Sequence, residues 1–242
     1  MLLLLAAVLA AAILALGLRL RAVLPRGAPP PRRTAPARLG VFLGSGGHTG
    51  EMRALLSALD GEKYAPRVYV YGAGDEMSLR AVADVESALG GTTSNKDYEL
   101  LALPRARAVG EGKLSTLVSA SKTLVFATWY TFALPLLRRP STPWVDVLLL
   151  NGPGTAVVLV AVAYIRRLLG LSYTRIIYVE SFARVKTLSL SGKLLRPFVD
   201  TFVVQWPEAV GPSATKAGAD ADTAGADSRT RPSRVTYRGF LV

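Results

Sequence analysis

Apolar positions follow two regimes along the chain. Residues 2–18 are an unbroken run of Leu, Ala, Val, Ile and Gly, which as a helix would span roughly 25 Å at about 1.5 Å per residue, short but sufficient for a thin bilayer. From residue 39 onward, short runs rich in β-branched and aromatic residues alternate with longer stretches of helical periodicity. The pattern predicts strands at 39–43, 67–71, 98–102, 145–150, 175–179 and 201–204, and helices at 49–59, 76–89, 114–137, 154–169 and 185–195. Alternation of this kind implies right-handed crossovers and a mostly parallel sheet covered on both faces. The fold class is therefore α/β, a single Rossmann-like parallel-sheet domain preceded by one N-terminal transmembrane helix.

Two segments depart from the plain alternation. Residues 123–137 are apolar and aromatic, with Trp129, Tyr130 and Phe132 bracketed by Lys122 and the Arg138, Arg139 pair. They suit either a helix lying in the membrane interface or one covering the sheet, and are too few to span comfortably. Residues 211–232 are dominated by Ala, Gly, Asp, Ser and Thr with no large apolar residue, and are expected to be a disordered insertion. The pattern resumes at 234–242, where Val235, Tyr237, Phe240, Leu241 and Val242 need cover from the chain's own sheet or from a partner.

Charge changes the reading of the N-terminal region. The chain of 242 residues carries 29 Lys plus Arg against 17 Asp plus Glu, a net +12, with one histidine and no cysteine. Arg19, Arg21, Arg26, Arg32, Arg33 and Arg38 meet no acidic residue in the first 38 positions, so +6 is left for the rest. Positive charge lying only on the C-terminal flank of the apolar run argues for an uncleaved anchor over a signal peptide, and places the body in the cytosol. Arg19 could snorkel to the interface, and each juxtamembrane cation gains about 1 kcal/mol near anionic lipid. Half of the basicity is thus topological, and nucleic acid loses its main support as a partner. Residues 1–24 form the anchor, 25–38 a basic, Pro-rich linker, and 39–242 the domain. Without thiols and with a single imidazole, disulfides, Cys or Cys/His zinc sites and thiol nucleophiles are excluded.

Ligands of open α/β sheets bind outside the carboxyl ends of the strands. After the first strand stand Gly44, Ser45, Gly46, Gly47, His48 and Thr49, glycines that permit close approach followed by a helix N-terminus suited to phosphate. The Lys-Ser/Thr pair of a P-loop is missing, as is the acidic residue of a dinucleotide fingerprint. Asn151, Gly152, Gly154 and Thr155 follow the fourth strand, Glu180 and Ser181 the fifth, and Gln205 to Glu208 the sixth. Arg105 and Arg107, after the third, could pair with a diphosphate. His48, at a helix N-terminus, is available as a base or hydrogen-bond partner near neutral pH.

Taken in order, these residues resemble a known family. Gly44-Ser45-Gly46-Gly47-His48-Thr49 with Glu51-Met52, Asp75 with Met77-Ser78, Asn151 to Thr155, Glu180-Ser181 with Arg184-Val185, Leu188 to Lys193 and Val204-Gln205-Trp206-Pro207 are similar to the membrane-anchoring subunit of the eukaryotic endoplasmic-reticulum N-acetylglucosaminyltransferase. That enzyme adds the second GlcNAc, from UDP-GlcNAc, to GlcNAc-diphosphodolichol on the cytosolic face in N-glycan precursor synthesis. The resemblance implies half of a two-Rossmann-domain transferase, similar to the N-terminal half of the bacterial peptidoglycan GlcNAc transferase, with a soluble UDP-GlcNAc-binding partner supplying the other half. It implies no cofactor or metal, and no activity from this chain alone. By that analogy His48 is the leading general base and Glu180 its rival. Gly44, Ser45, Gly46, Gly47, Thr49, Arg105, Arg107, Asn151, Gly152, Gly154 and Thr155 face the acceptor diphosphate, and Gly239, Phe240, Leu241 and Val242 dock the partner. The 211–232 insertion departs from the family's compact pattern. Two other readings remain open at this point: a pure membrane scaffold with no part in the active site, and a free-standing nucleotide-dependent enzyme.

Overall fold

The computed structural model describes residues 1–25, 35–89, 98–106, 112–140, 142–152, 154–210 and 235–237. Helix α1 (Leu2–Val23) continues the apolar run through Arg19 and Arg21, a length of about 33 Å at the usual rise. It is one helix long and apolar enough to cross a membrane, with mean hydropathy 2.5 and none of that window buried. Its last turn is fixed to the domain. Arg19 Nε donates to the Leu168 carbonyl at 2.9 Å, and Leu20, Val23 and Leu24 pack against the core. Arg19 thus caps free carbonyls at the end of a sheet-covering helix, where the helix dipole favours a cation, rather than reaching to the interface as the sequence suggested.

Seven parallel strands run in the order β3-β2-β1-β4-β5-β6-β7. They are β1 (Leu39–Leu43), β2 (Arg67–Gly72), β3 (Tyr98–Leu103), β4 (Val147–Asn151), β5 (Arg175–Val179), β6 (Thr201–Val204) and β7 (Val235–Tyr237). The turn of direction between β1 and β4 is the topological switch point of a Rossmann sheet. All five residues of β1 are buried, as a central strand covered on both faces requires. Alternate side chains feed two cores. Leu39, Val41 and Leu43 join Met52, Leu56, Val82 and Val85 from α2 (Gly47–Leu56) and α3 (Glu76–Ala88) on one face. Phe42, Leu148, Leu150, Ile176 and Phe202 meet α6 (Thr155–Leu169) and α7 (Leu190–Leu195) on the other.

The 114–137 prediction resolves into α4 (Lys113–Thr128), a π-helical turn at Trp129–Ala133 and α5 (Leu134–Arg138). Pro135, which cannot donate a backbone hydrogen bond, follows directly on the π turn. Ala127, Thr123 and Thr131 are buried, whereas Leu117, Val118, Val125 and Trp129 are more than half exposed. The helix therefore packs with one side, mainly against α6, and leaves an apolar outer side open. Helix α7 begins five residues later than the periodicity predicts, because the Ser189 hydroxyl accepts from the Gly192 amide and so caps a helix that starts at Leu190. Strand β7 pairs in parallel with β6, Val203 opposite Thr236, so the resumed pattern after 232 completes this chain's own sheet. The expected disordered insertion, most of the Pro-rich linker and the expected docking tail, Gly239 to Val242, lie outside the described residues.

Candidate functional site

The carboxyl ends of β1, β4 and β5 open into a cleft of about 810 Å³, lined among others by Gly44, Ser45, His48, Arg105, Gly152, Gly154, Thr155 and Glu180. Two helices start on its rim, α2 after Gly46 and α6 after Gly154, so two sets of free amides and two positive dipole ends converge there. Arg105, exposed, lies beside Gly72 at the β2 end of the cleft, and the Ala106 amide donates to Thr155 Oγ1 at 3.3 Å. Arg107 lies outside the described residues. Gly46 and Gly47 are exposed on the turn that enters α2.

His48 is held by packing and by one hydrogen-bond relay. A Cβ on Gly44 would sit 2.7 Å from His48 Cβ, and one on Gly152, whose φ of +114° already favours glycine, 3.3 Å from His48 Cγ. Glycine at both positions is therefore what lets the imidazole lie against the two strand ends. Its Nδ1 is 2.8 Å from Asn151 Oδ1. Asn151 Nδ2 donates to Glu51 Oε2 at 2.7 Å, and the Ser181 hydroxyl donates to Glu51 Oε1 at 2.8 Å. A carboxylate accepts only, so the amide nitrogen of Asn151 must face Glu51 and its oxygen must face the ring. Nδ1 then carries a proton, which makes Nε2 the nitrogen open to proton exchange. Among the described residues Nε2 has no hydrogen-bond partner.

The other expected residues divide by what their side chains do. Thr49 is 3% exposed, and its hydroxyl donates to the Gly44 carbonyl and meets Ser78 Oγ, so it braces the turn instead of facing the cleft. Asn151, fully buried, orients His48. Glu180 is 1% exposed with both oxygens engaged: Oε2 accepts from the Ser189 amide at 3.0 Å and from its hydroxyl, and Oε1 from the Ser181 amide at 3.1 Å. It closes the loop before α7, leaving His48 the better placed of the two base candidates. Tyr178 donates to the Gly152 carbonyl at 3.3 Å; burial first, then the Glu180 charge, push its phenol well above the ordinary range, so it remains a neutral donor.

Sequence reasoning leaves Glu51 and Ser181 without a role. Glu51 stands three residues after His48, which puts both on one face of α2 and is a usable signal. Ser181 signals its place by following the fifth strand, but not its link to Glu51, which crosses 130 positions. No group of three or more His, Asp or Glu able to hold a metal occurs among the described residues.

A doubly wound Rossmann-type sheet carries glycine turns, two helix N-termini and an oriented imidazole together at its carboxyl edge, the edge where open α/β sheets take their ligands. The chain belongs to the Alg14-like family of oligosaccharide biosynthesis proteins, whose family model matches residues 39–217. It is 64% identical over 177 residues to a UDP-N-acetylglucosamine transferase subunit ALG14 of Cryptococcus neoformans, covering 73% of this chain and 77% of that one. The subunit of the same name from Schizosaccharomyces pombe is 44% identical over 172 residues, 69% and 75% of the two chains, and that of Rattus norvegicus 41% over 170, 69% and 74%. A solved structure of LpCGTa in complex with UDP overlaps 86% of this chain and 53% of its own at 13% identity and a TM-score of 0.44.

Proposed function

We propose that this chain is the membrane-anchoring, acceptor-binding subunit of a transferase that moves GlcNAc from UDP-GlcNAc to a GlcNAc-diphosphate lipid. The observation that carries the reading is the His48–Asn151–Glu51 relay, which holds Nδ1–H of the ring on Asn151 and leaves Nε2 for a substrate in a cleft rimmed by two helix N-termini. The helix ends and glycine turn hold the diphosphate. Nε2 takes the proton of the acceptor C4 hydroxyl as that oxygen bonds to the donor's anomeric carbon and the bond from that carbon to UDP breaks. The resulting imidazolium keeps its Nδ1 proton on Asn151, with the Glu51 charge one amide away to stabilise it. Family membership and the name borne by its relatives support the subunit role, and the donor half is assigned on this reading to a soluble partner. The pure-scaffold alternative gives no reason for an oriented imidazole.

On this reading α1 is a single pass with its N-terminus in the lumen of the endoplasmic reticulum, and the domain faces the cytosol. The open apolar side of α4, flanked by Lys122, Arg138 and Arg139, rests on the membrane surface beside it. Residues 239–242 dock the soluble UDP-GlcNAc-binding subunit. The chain alone, in lipid nanodiscs, is expected to bind a GlcNAc-diphosphate lipid in competition with inorganic pyrophosphate, and to ignore UDP-GlcNAc. Calorimetric binding of UDP-GlcNAc with no binding of the acceptor would overturn the assignment of halves.

A further inference from the structure

The lining of the cleft is mixed. Beside Thr116, Arg184 and Ser191 it includes Val157 and Val158 of α6, Ala120 of α4, and Leu190 and Leu194 of α7, the apolar end of the cavity. The two leucines stand one helical turn apart on one side of that short helix, and are 75% and 53% exposed although they line a cavity. A sheet-packed helix usually turns its leucines inward, as α7 does with Leu195, which is 2% exposed. Ser189 and Glu180 fix α7 in register at its first turn, so Leu190 and Leu194 are held toward the cleft and cannot rotate into the core.

We infer that this apolar end is a subsite for the first isoprene units of the acceptor's lipid, with Leu190 and Leu194 as its specificity-determining residues. The inference rests on the functional reading above and extends it from the headgroup to the tail. The occupant follows from continuity. Polar and apolar side chains line one cavity, so a diphosphate seated on the amides of α2 and α6 has the apolar residues of α6 and α7 within the same cleft for its ester-linked hydrocarbon. A volume of about 810 Å³ lies in the upper part of the range for small-molecule sites, about 300–1,000 Å³. A soluble sugar nucleotide has no apolar group to offer Leu190 and Leu194, whereas a branched alkyl chain covers them and removes that surface from water.

The test uses the full chain with its soluble partner in nanodiscs and two acceptors, GlcNAc-diphosphate carried on a C20 isoprenoid alcohol or on butanol. For the double variant Leu190→Ser with Leu194→Ser, the ratio of kcat/KM for the C20 over the butyl acceptor should fall by about tenfold or more, the loss expected from giving up two apolar contacts. The volume-conserving pair Leu190→Met with Leu194→Met should keep the ratio within about twofold. An unchanged ratio in the serine pair would overturn the subsite, and so would equal losses for both acceptors, which would assign the leucines to holding α7 or seating the partner chain. Absence of turnover for both acceptors with the unaltered chains would instead bring down the functional reading, and the subsite with it.

Discussion

Replacing His48 by Ala should lower turnover of the reconstituted two-chain transferase by about 10²–10⁴-fold, the usual contribution of a positioned general base. KM for the lipid acceptor should change little, because on the proposed reading the diphosphate is held by backbone amides of the two helix starts and not by the ring. The variant should fold, since His48 is only part-buried and its removal leaves Asn151 still tied to Glu51. Glu51→Gln supplies the companion measurement. It keeps the size of the side chain but removes the charge behind Asn151 and the pure acceptor that orders the amide, so it should lower kcat, though less than His48→Ala does. Full activity of His48→Ala would return the scaffold reading, with the chain contributing only location. Loss of kcat with partner binding intact would exclude it.

The largest stability effect is expected at the opposite edge of the sheet. Arg67 opens β2, and its guanidinium meets Glu86 of α3 through two contacts of 2.6 and 2.7 Å, with side chains only 4% and 8% exposed. The Tyr69 hydroxyl donates to the same carboxylate at 2.5 Å, and Arg67 also reaches the carbonyls of Gly61 and Tyr64. Removing Glu86 leaves a buried guanidinium without its counter-charge, which costs about 3–5 kcal/mol. Glu86→Ala should therefore lower the denaturation midpoint of the domain strongly, read by near-ultraviolet dichroism in detergent. The double change Arg67→Met with Glu86→Leu should recover part of the loss, since it removes the uncompensated charge but still takes the Tyr69 hydroxyl's acceptor away. A loss under about 1 kcal/mol for Glu86→Ala would show that water reaches the pair. Burial first, then the bond to Glu86, raise the Tyr69 phenol well above its ordinary range. A raised folded value adds stability below the ordinary phenol range and loses it as pH rises through the folded value, so this contribution is intact at neutral pH.

The two effects sit at opposite ends of the same strands, and that separation explains what could be read from the chain. The β-rich runs at 39–43, 175–179 and 201–204 coincide with β1, β5 and β6 residue for residue, because strands buried on both faces are written as continuous apolar segments. The start of α7 was misplaced, because a serine cap is a local side-chain event that apolar periodicity does not carry. Helix α4 is ambiguous in sequence for a related reason. Its buried positions are the small and polar Ala127 and Thr123, while Leu117, Val118 and Val125 are exposed, the reverse of the usual stripe.

At the site, the strand-end rule located Gly44, His48, Gly152 and Glu180 on one cleft, since each follows a strand whose order the alternation implies. Roles were less legible than places. Glu180 and Glu51 are both carboxylates near the edge, and only the hydrogen bonds separate the one that closes a loop from the one that supports the imidazole. Thr49 reads as a phosphate ligand by position, yet its hydroxyl turns back to the Gly44 carbonyl, which a helix N-terminal threonine does whenever a free carbonyl lies within reach.

The central claim is that this chain is one half of an active site completed by a second chain. It is tested most directly by turnover of UDP-GlcNAc onto a GlcNAc-diphosphate lipid in nanodiscs holding the purified full-length chain, with and without the soluble UDP-GlcNAc-binding subunit. The account predicts no product above background from either chain alone and sustained turnover from the two together. Sustained product from this chain by itself, or from the soluble chain by itself on the same acceptor, would contradict it.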